Sequence, residues 1–188
     1  MSLATESAIS LYGAFRLARF DPQGMSCFNI APRGFWRSFW AAVIVAPFYA
    51  MLLATAYPAL EGSPDPVRFA LAEGIAYVVA WVAYPLAMAW LTRQLGRFDR
   101  FIGYIVAYNW AAVLQNAVFI PINMLWITGT VPPNLGFLLW VAAFSLILAY
   151  LWFIARTALA VAPMAAASIV GIDFVLNLMI STIAHGIR

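Results

Sequence analysis

The chain has 188 residues, of which 65% are apolar and only 9% are charged, and its formal net charge is +3. A soluble domain carries about 25% charged residues, because a chain of this size has to cover a large surface with groups that face water. The composition therefore excludes an ordinary soluble domain and predicts that lipid is the main solvent. The small charge, with no basic run, also argues against a nucleic-acid partner.

The residue types also exclude most site chemistry. Cys27 and His185 are the only cysteine and the only histidine, so an internal disulfide and a cysteine-based metal site are excluded. No nucleophile and base stand at a catalytic spacing, and no phosphate-binding loop is present. We therefore expect no enzymatic activity, no metal and no cofactor. Residues 1–10 do not resemble a signal peptide, so we expect an uncleaved first span.

Residues 1–37 are predicted to form a cytoplasmic or interfacial segment. Residues 6–20 have a helical composition, and the turn sequence Asp-Pro-Gln-Gly follows at residues 21–24. Leu11, Phe15 and Ala18 fall on one side of this helix, and Arg16 and Arg19 fall on another. The helix is predicted either to lie in the membrane interface or to pack on the bundle as an ordered tail. The predicted interfacial basic residues are Arg16, Arg19, Arg33 and Arg37.

A single all-α membrane domain of about five transmembrane helices is predicted for residues 1–188. A spanning helix needs about 20 apolar residues, and the segments that qualify are residues 38–60, 69–92, 101–127, 135–156 and 162–184. Prolines and a glycine within residues 128–134 separate the third segment from the fourth. Pro163 suits the first turn of the fifth helix, where its missing N–H costs nothing. The short connections predict that consecutive spans are adjacent and antiparallel.

The arginines predict the orientation of this bundle. Eight of the ten lie on one predicted side, in residues 16–37, 93–100 and at 156. The other side has Arg68, which Glu61 and Asp65 offset, and Arg188. Because positive residues are enriched on the cytoplasmic side, the N-terminus is predicted to be cytoplasmic and the C-terminus periplasmic. The use of arginine in place of lysine, with abundant alanine, indicates a bacterial inner membrane protein.

Polar residues inside two spans predict a buried polar seam. Polar side chains in a membrane usually face protein or water. Those of the third span recur every seven residues, and those of the fifth every four, so each set lies on one helical face. The seam residues are Asn109, Gln115, Asn116 and Asn123 on the third span, and Asp173, Asn177 and Ser181 on the fifth. The seam is predicted either to hold helices together or to form a binding or transport path.

Two carboxylates lie within the predicted spans. Asp173 is near the middle of the fifth span with no basic residue at its depth, so we expect it to be protonated or solvated. Glu73 is about one turn inside the second span. We expect it to be an interfacial carboxylate that benefits from the helix dipole, with Arg68 as a partner.

Several motifs resemble one protein family. The stretch Leu17-Ala-Arg-Phe-Asp-Pro-Gln-Gly24, followed by Gly34-Phe-Trp-Arg-Ser-Phe39, resembles bacterial members of the Yip (Rab-interacting-protein-like) domain family. Gly103-Tyr104 resembles that family's Gly-Tyr element, and Leu151-Trp-Phe-Ile-Ala-Arg156 ends a similar long fourth span. The resemblance implies five spans, a cytoplasmic N-terminus and a short external C-terminus, and it bears on the fold more than on an activity.

Three functions are compatible with these features. The first is a scaffold, assembly factor or accessory subunit that contacts membrane lipids and other membrane protein subunits through its helices. The second is a small transporter or channel component that uses Asp173 and the asparagine face of the third span. The third is lipid handling or membrane shaping through the N-terminal segment.

Overall fold

In the computed structural model, residues 2–60 and 65–187 are described, and this part of the chain consists of helices joined by short turns, with no β-strand. The α-helices are α1 (Leu3–Ala18), α2 (Pro32–Ser38), α3 (Trp40–Ala56), α4 (Pro66–Gln94), α5 (Phe101–Ile127), α6 (Pro133–Leu159) and α7 (Pro163–Ile187). Short 3-10 helices are formed by Pro22–Cys27, Tyr57–Ala59 and Phe98–Arg100. Glu61 and Arg188, both counted in the prediction of orientation, lie outside the described residues.

The prediction of a helical bundle with five spans is confirmed. Five helical segments are long and apolar enough to cross a membrane: Pro32–Ala56, Pro66–Gln94, Phe98–Ile127, Pro133–Leu159 and Pro163–Ile187. The helix α5 covers residues 101–127, as predicted. The first segment begins earlier than predicted because α2 precedes α3, with a short break at Phe39. The others extend two to three residues past most of their predicted ends.

Local chemistry explains the helix boundaries. Proline occupies the first turn of α2, α4 and α6, where no N–H is needed. The Asp65 side chain caps α4 by accepting a hydrogen bond from the Arg68 N–H at 2.8 Å. The helix α6 ends at Ala160, which has a left-handed φ of 49°, and α7 begins three residues later. The boundary between the fourth and fifth spans is therefore a tight reversal.

The helices form two rows. The helix α5 lies at the centre of one row and packs against α3 and α6, with α1 and α2 on its first turns. The second row consists of α4 and α7, which pack against each other, and α7 also packs against α6. Because α4 and α5 have few contacts, the two rows are closed on one side by α6 and α7 and leave space between them.

The densest packing lies at one end of the bundle, which we call the Arg-rich end. It is the end where α4 and α6 finish and α5 and α7 begin, and it carries Arg33, Arg93, Arg97, Arg100 and Arg156. The residues most buried there are Tyr84, Met88, Tyr104, Ile105, Val106, Ala107, Trp110, Ile154, Ala155 and Leu159. The other end, where α7 finishes, has fewer buried side chains.

The N-terminal helix α1 packs on this Arg-rich end. Its buried face includes Gly13, Ala14 and Leu17, and the Tyr150 hydroxyl donates a hydrogen bond to the Ala14 carbonyl at 2.7 Å. Tyr12 and Phe15 lie on the exposed face, at 58% and 49% exposure. The helix α1 is therefore an ordered segment that packs on the bundle. That its exposed face lies in the membrane interface stays a prediction.

Two of the four predicted interfacial arginines are held by carboxylates. Arg16 pairs with Asp21 at 2.6 Å, and Arg37 pairs with the buried Glu6. Arg19 and Arg33 are exposed. The basic residues of this segment thus divide into a pair that stabilises the fold and a pair that is available to the surroundings.

Candidate functional site

A cavity of about 400 Å³ lies between the two rows of helices. Its walls come from all five spans, α3 to α7, and they combine aromatic and aliphatic surface with polar side chains. Ligand cavities in proteins usually have volumes of about 300–1,000 Å³ and a few convergent polar groups on mostly apolar walls. In size and lining, this cavity fits that description.

Most residues of the predicted polar seam line this cavity. Of the seven seam residues, the cavity is lined by Asn109, Gln115, Asn116, Asp173, Asn177 and Ser181. Asn123 is not among its lining residues; its amide donates to the Phe119 carbonyl of the same helix at 2.8 Å. Asn116 likewise donates to the Ala112 carbonyl at 2.8 Å. The α5 amides therefore do not bond α7 directly, and the seam is the wall of a cavity.

Asp173 is the main polar link across the cavity. It is only 6% exposed, and its Oδ1 accepts hydrogen bonds from the Tyr108 hydroxyl at 2.8 Å and the Asn177 amide at 2.9 Å. Tyr108 belongs to α5 and Asn177 to α7, so one carboxylate oxygen joins the two rows. Tyr108 was not singled out in the sequence, although it directly precedes Asn109.

Two buried polar atoms on α5 have no hydrogen-bond partner among the described residues. The amide of Asn109 donates to the Ser38 hydroxyl at 2.8 Å, which leaves Asn109 Oδ1 unpartnered. The Nε2 of Gln115 is also unpartnered. Both residues line the cavity. A buried polar group without a partner costs about 1–3 kcal/mol, and both atoms are enclosed by protein atoms and not exposed to the cavity.

Glu73 is part of the same cavity and is buried inside the bundle, whereas its position at the membrane interface stays a prediction. Its side chain is 4% exposed and lines the cavity wall. The Tyr49 hydroxyl of α3 donates to Glu73 Oε2 at 3.0 Å, and the Tyr49 ring stacks on Tyr77 with centroids 5.1 Å apart. The sequence does contain a signal: Glu73, Tyr77, Trp81 and Pro85 recur every four residues, which places them on one face of α4.

The cavity is closed toward the Arg-rich end. Tyr84 stacks on Tyr108 with centroids 4.3 Å apart, and its hydroxyl is hydrogen-bonded to that of Tyr104. Exposure rises in the other direction along α7, from the buried Asp173 to the exposed Asn177 and Ser181. Ala184, farther along α7, also lines the cavity but is buried, so the cavity is open beside Asn177 and Ser181, in the half of the bundle where α7 finishes.

The charged side chains in the described lining of the cavity are all acidic. They are the carboxylates of Glu73 and Asp173, and none of the lining residues that the structure describes is basic. His185 lies one turn beyond Ser181, with its Nδ1 3.5 Å from the Ser181 hydroxyl, and it is exposed outside the lining. Within residues 2–60 and 65–187, no three His, Cys, Asp or Glu side chains come together as a group that could hold a metal ion.

No protein-family model, no curated protein and no solved structure matches the chain.

Proposed function

We propose that this protein binds a small solute in its intramembrane cavity and acts, without catalysing a reaction, as a small transporter or as the solute-binding component of one. The observation that carries the proposal is the cavity itself, which is lined from all five spans and has six residues of the polar seam in its mostly apolar wall. Polar groups inside a membrane protein are costly and commonly mark substrate paths.

The hydrogen-bond pattern favours this function over a purely adhesive seam. Amides that hold helices together bond across the helix interface, whereas Asn116 bonds its own helix through the Ala112 carbonyl. The cross-helix bonds of the lining residues run mainly from tyrosines: Tyr108 and Tyr49 donate to the two carboxylates and Tyr77 donates to the Ala42 carbonyl, while Asn109 donates to the Ser38 hydroxyl. The partly buried side chains of Gln115 and Asn116 thus remain on the cavity wall, where a solute can reach them.

The scaffold or accessory-subunit hypothesis takes second place here. The outward residues of α4, such as Leu71, Val78 and Leu86, are 61–65% exposed and aliphatic, which is what any lipid-facing helix presents. An odd number of spans does not suit two matched inverted repeats, so we favour a component that works with other membrane subunits over a transporter built on that plan.

We also propose that the protein lies in a bacterial inner membrane with its N-terminus in the cytoplasm. The exposed Arg19, Arg33 and Arg97 lie at the closed end of the bundle, and cytoplasmic sides carry an excess of arginine. The cavity would then open toward the periplasm. Membership of the Yip-like family stays a proposal based on the sequence motifs alone.

Thiol labelling tests the proposal. In a Cys27→Ser background, Asn177→Cys and Ser181→Cys should react quickly with a water-soluble methanethiosulfonate reagent, because thiols ionise where water enters. Val175→Cys is the matched control on α7, since Val175 is 52% exposed but does not line the cavity. It should react slowly in a lipid nanodisc.

Occupancy is tested with three small aromatic probes: phenyltrimethylammonium, its uncharged isostere tert-butylbenzene, and benzenesulfonate. At least one should protect the Ser181→Cys thiol from labelling, and Ala112→Trp, which fills the cavity from α5, should abolish that protection. The proposal is wrong if the Asn177→Cys and Ser181→Cys thiols are as inert as that of Val175→Cys, or if no probe protects.

A further inference from the structure

We infer that the cavity selects small organic cations, that is, an amine or a quaternary ammonium group with apolar substituents. This inference rests on the proposed function and names the class of solute. It follows from the charge of the lining, from the aromatic surface beside the carboxylates and from the size of the cavity.

The cavity lining carries two buried carboxylates. Glu73 and Asp173 are 4% and 6% exposed, and they lie on α4 and α7, the two helices of the second row. An ionised carboxylate as buried as that of Asp173 is stable in a low-dielectric site only when it is compensated. The donors to Asp173 Oδ1 are the uncharged Tyr108 and Asn177, and no residue of the described lining brings a positive charge. A cation in the cavity supplies that charge, whereas an anion would be repelled.

Aromatic side chains lie near these carboxylates in the cavity lining. Tyr77 and Trp81 stand on the same face of α4 as Glu73, and Phe174 directly follows Asp173 on α7. Phe144 of α6 packs edge-on against Phe174, with centroids 5.8 Å apart. Aromatic faces attract organic cations through their quadrupoles, and the attraction grows when the cation is desolvated. Carboxylates beside aromatic rings are therefore suited to an ammonium group.

Size decides between an organic cation and a metal ion. Ca²⁺ and Mg²⁺ require a tight shell of about six or more oxygen ligands, Zn²⁺ requires three or four His, Cys or carboxylate ligands, and the described residues contain no cluster of three such side chains. A cavity of about 400 Å³ with mostly apolar walls instead fits a molecule that carries one charge and buries apolar surface.

The experiment uses the full chain in nanodiscs of phosphatidylcholine, a lipid without net charge, and measures the dissociation constant of each probe by protection of the Ser181→Cys thiol. Phenyltrimethylammonium should bind roughly tenfold or more tightly than tert-butylbenzene, which has the same shape without the charge. Benzenesulfonate should not protect. Asp173→Asn and Glu73→Gln, which keep the shape of each side chain, should each weaken cation binding by roughly tenfold.

Asp99→Asn is the matched control, because Asp99 is an exposed carboxylate in the connection between α4 and α5. It should leave the dissociation constant unchanged. If tert-butylbenzene binds as tightly as the cation, or if neither Asp173→Asn nor Glu73→Gln weakens cation binding, the cation inference is wrong while solute binding stands. If none of the probes protects, both proposals are wrong.

Relative labelling rates provide a second readout that does not depend on probe affinity. The cationic reagent 2-(trimethylammonio)ethyl methanethiosulfonate should modify Ser181→Cys faster than the anionic reagent 2-sulfonatoethyl methanethiosulfonate, after correction for their rates with a free thiol. The ratio should fall toward one in the combined Glu73→Gln and Asp173→Asn variant. An excess rate for the anionic reagent in the unmodified cavity would overturn the inference.

Discussion

Arg37 forms an ion pair with Glu6, and this contact fastens α1 to the first residues of the membrane bundle. The Asn29 amide also donates to the Glu6 carboxylate, at 3.0 Å. Gly34 lies one turn before Arg37, where an added Cβ would collide with the Asn29 carbonyl. The motifs that resemble the Yip-like family thus contain several of the residues that dock the N-terminal helix.

Removing Glu6 should release α1. The Glu6→Gln variant leaves the Arg37 guanidinium without its carboxylate, which we expect to cost about 1–3 kcal/mol of docking energy, because the 20% exposed Arg37 side chain is partly screened. Limited trypsin digestion should then cleave faster after the exposed Arg19. The control is Asp99→Asn, which removes the exposed Asp99–Arg100 pair. Equal cleavage rates in the wild type and Glu6→Gln would contradict the prediction.

The docking of α1 should weaken in acid. Burial by itself would raise the pKa of Glu6, but the hydrogen bonds from Arg37 and Asn29 hold that pKa below the usual 4.5. A carboxyl with a lowered folded-state pKa stabilises the docked helix fully above its unfolded pKa. That stability is lost as the pH falls through the lower, folded-state value. The window is therefore below about pH 4.5.

Hydrogen exchange of residues 3–18, corrected for the intrinsic rate, measures this effect between pH 6 and pH 3. The pKa of Asp21 is also lowered, first by the Gln23 N–H and then by Arg16, so it acts in the same direction. Glu6→Gln should consequently reduce the pH response without abolishing it. A pH-independent protection of α1 in the wild type would show that Glu6 does not control docking.

A methyl group at Gly13 should disturb the same junction. A Cβ there would lie 2.7 Å from Cys27 Cβ and 2.9 Å from the Gly24 carbonyl oxygen. Since such overpacking typically costs about 1–3 kcal/mol, Gly13→Ala should lower the thermal unfolding midpoint. Gly171→Ala is the matched control, because a Cβ on Gly171 meets nothing within 4 Å. It should be neutral or stabilising by up to about 1 kcal/mol, and a similar loss in both variants would refute the packing explanation.

Asp173 should tolerate an amide better than an apolar side chain. Asp173→Asn retains an oxygen that can accept from Tyr108, whereas Asp173→Leu leaves the Tyr108 hydroxyl and the Asn177 amide without this acceptor. Leaving the Tyr108 hydroxyl without an acceptor inside the bundle costs roughly 1–3 kcal/mol, whereas the exposed Asn177 keeps its bond to the Asp173 backbone carbonyl. Unfolding midpoints in detergent should fall more for Asp173→Leu. If the two substitutions were equally harmless, the carboxylate would not organise the cavity.

The site was only partly predictable from the sequence. The seven-residue spacing of the α5 asparagines and the four-residue spacing on α7 identified five residues that line the cavity, and a sixth, Gln115, was identified as the neighbour of Asn116. The sequence pattern did not reveal that Asn116 and Asn123 bond their own helix. An asparagine amide in a helix can bond either the carbonyl four residues earlier or a group on another helix. Only the tertiary structure shows which of these bonds it forms. Tyr108 and Tyr49 were missed because tyrosine is ordinary in any membrane helix.

Glu73 is a second case in which the sequence did not predict the surroundings of a side chain. Its position near the start of α4 suggested an interfacial group, and only the structure shows that the Tyr49 hydroxyl of α3 reaches it and that it is 4% exposed. The four-residue repeat Glu73, Tyr77, Trp81 is visible in the sequence, but the opposite face of α4 is equally apolar. In a membrane both faces of a helix are apolar, so periodicity separates them far less clearly than in water.

By itself, the sequence determined that the chain is an all-helical bundle with five apolar spans, and it located α5 at residues 101–127. Span length and charge depletion are local properties of the chain. Each helix in lipid has to satisfy its own backbone hydrogen bonds and present apolar side chains, independently of the other helices. Only the tertiary structure decided that α5 packs on α1, α3 and α6 while α4 pairs with α7. Those contacts depend on the rotation of each helix about its axis, and they turn scattered carboxylates and amides into the wall of one cavity.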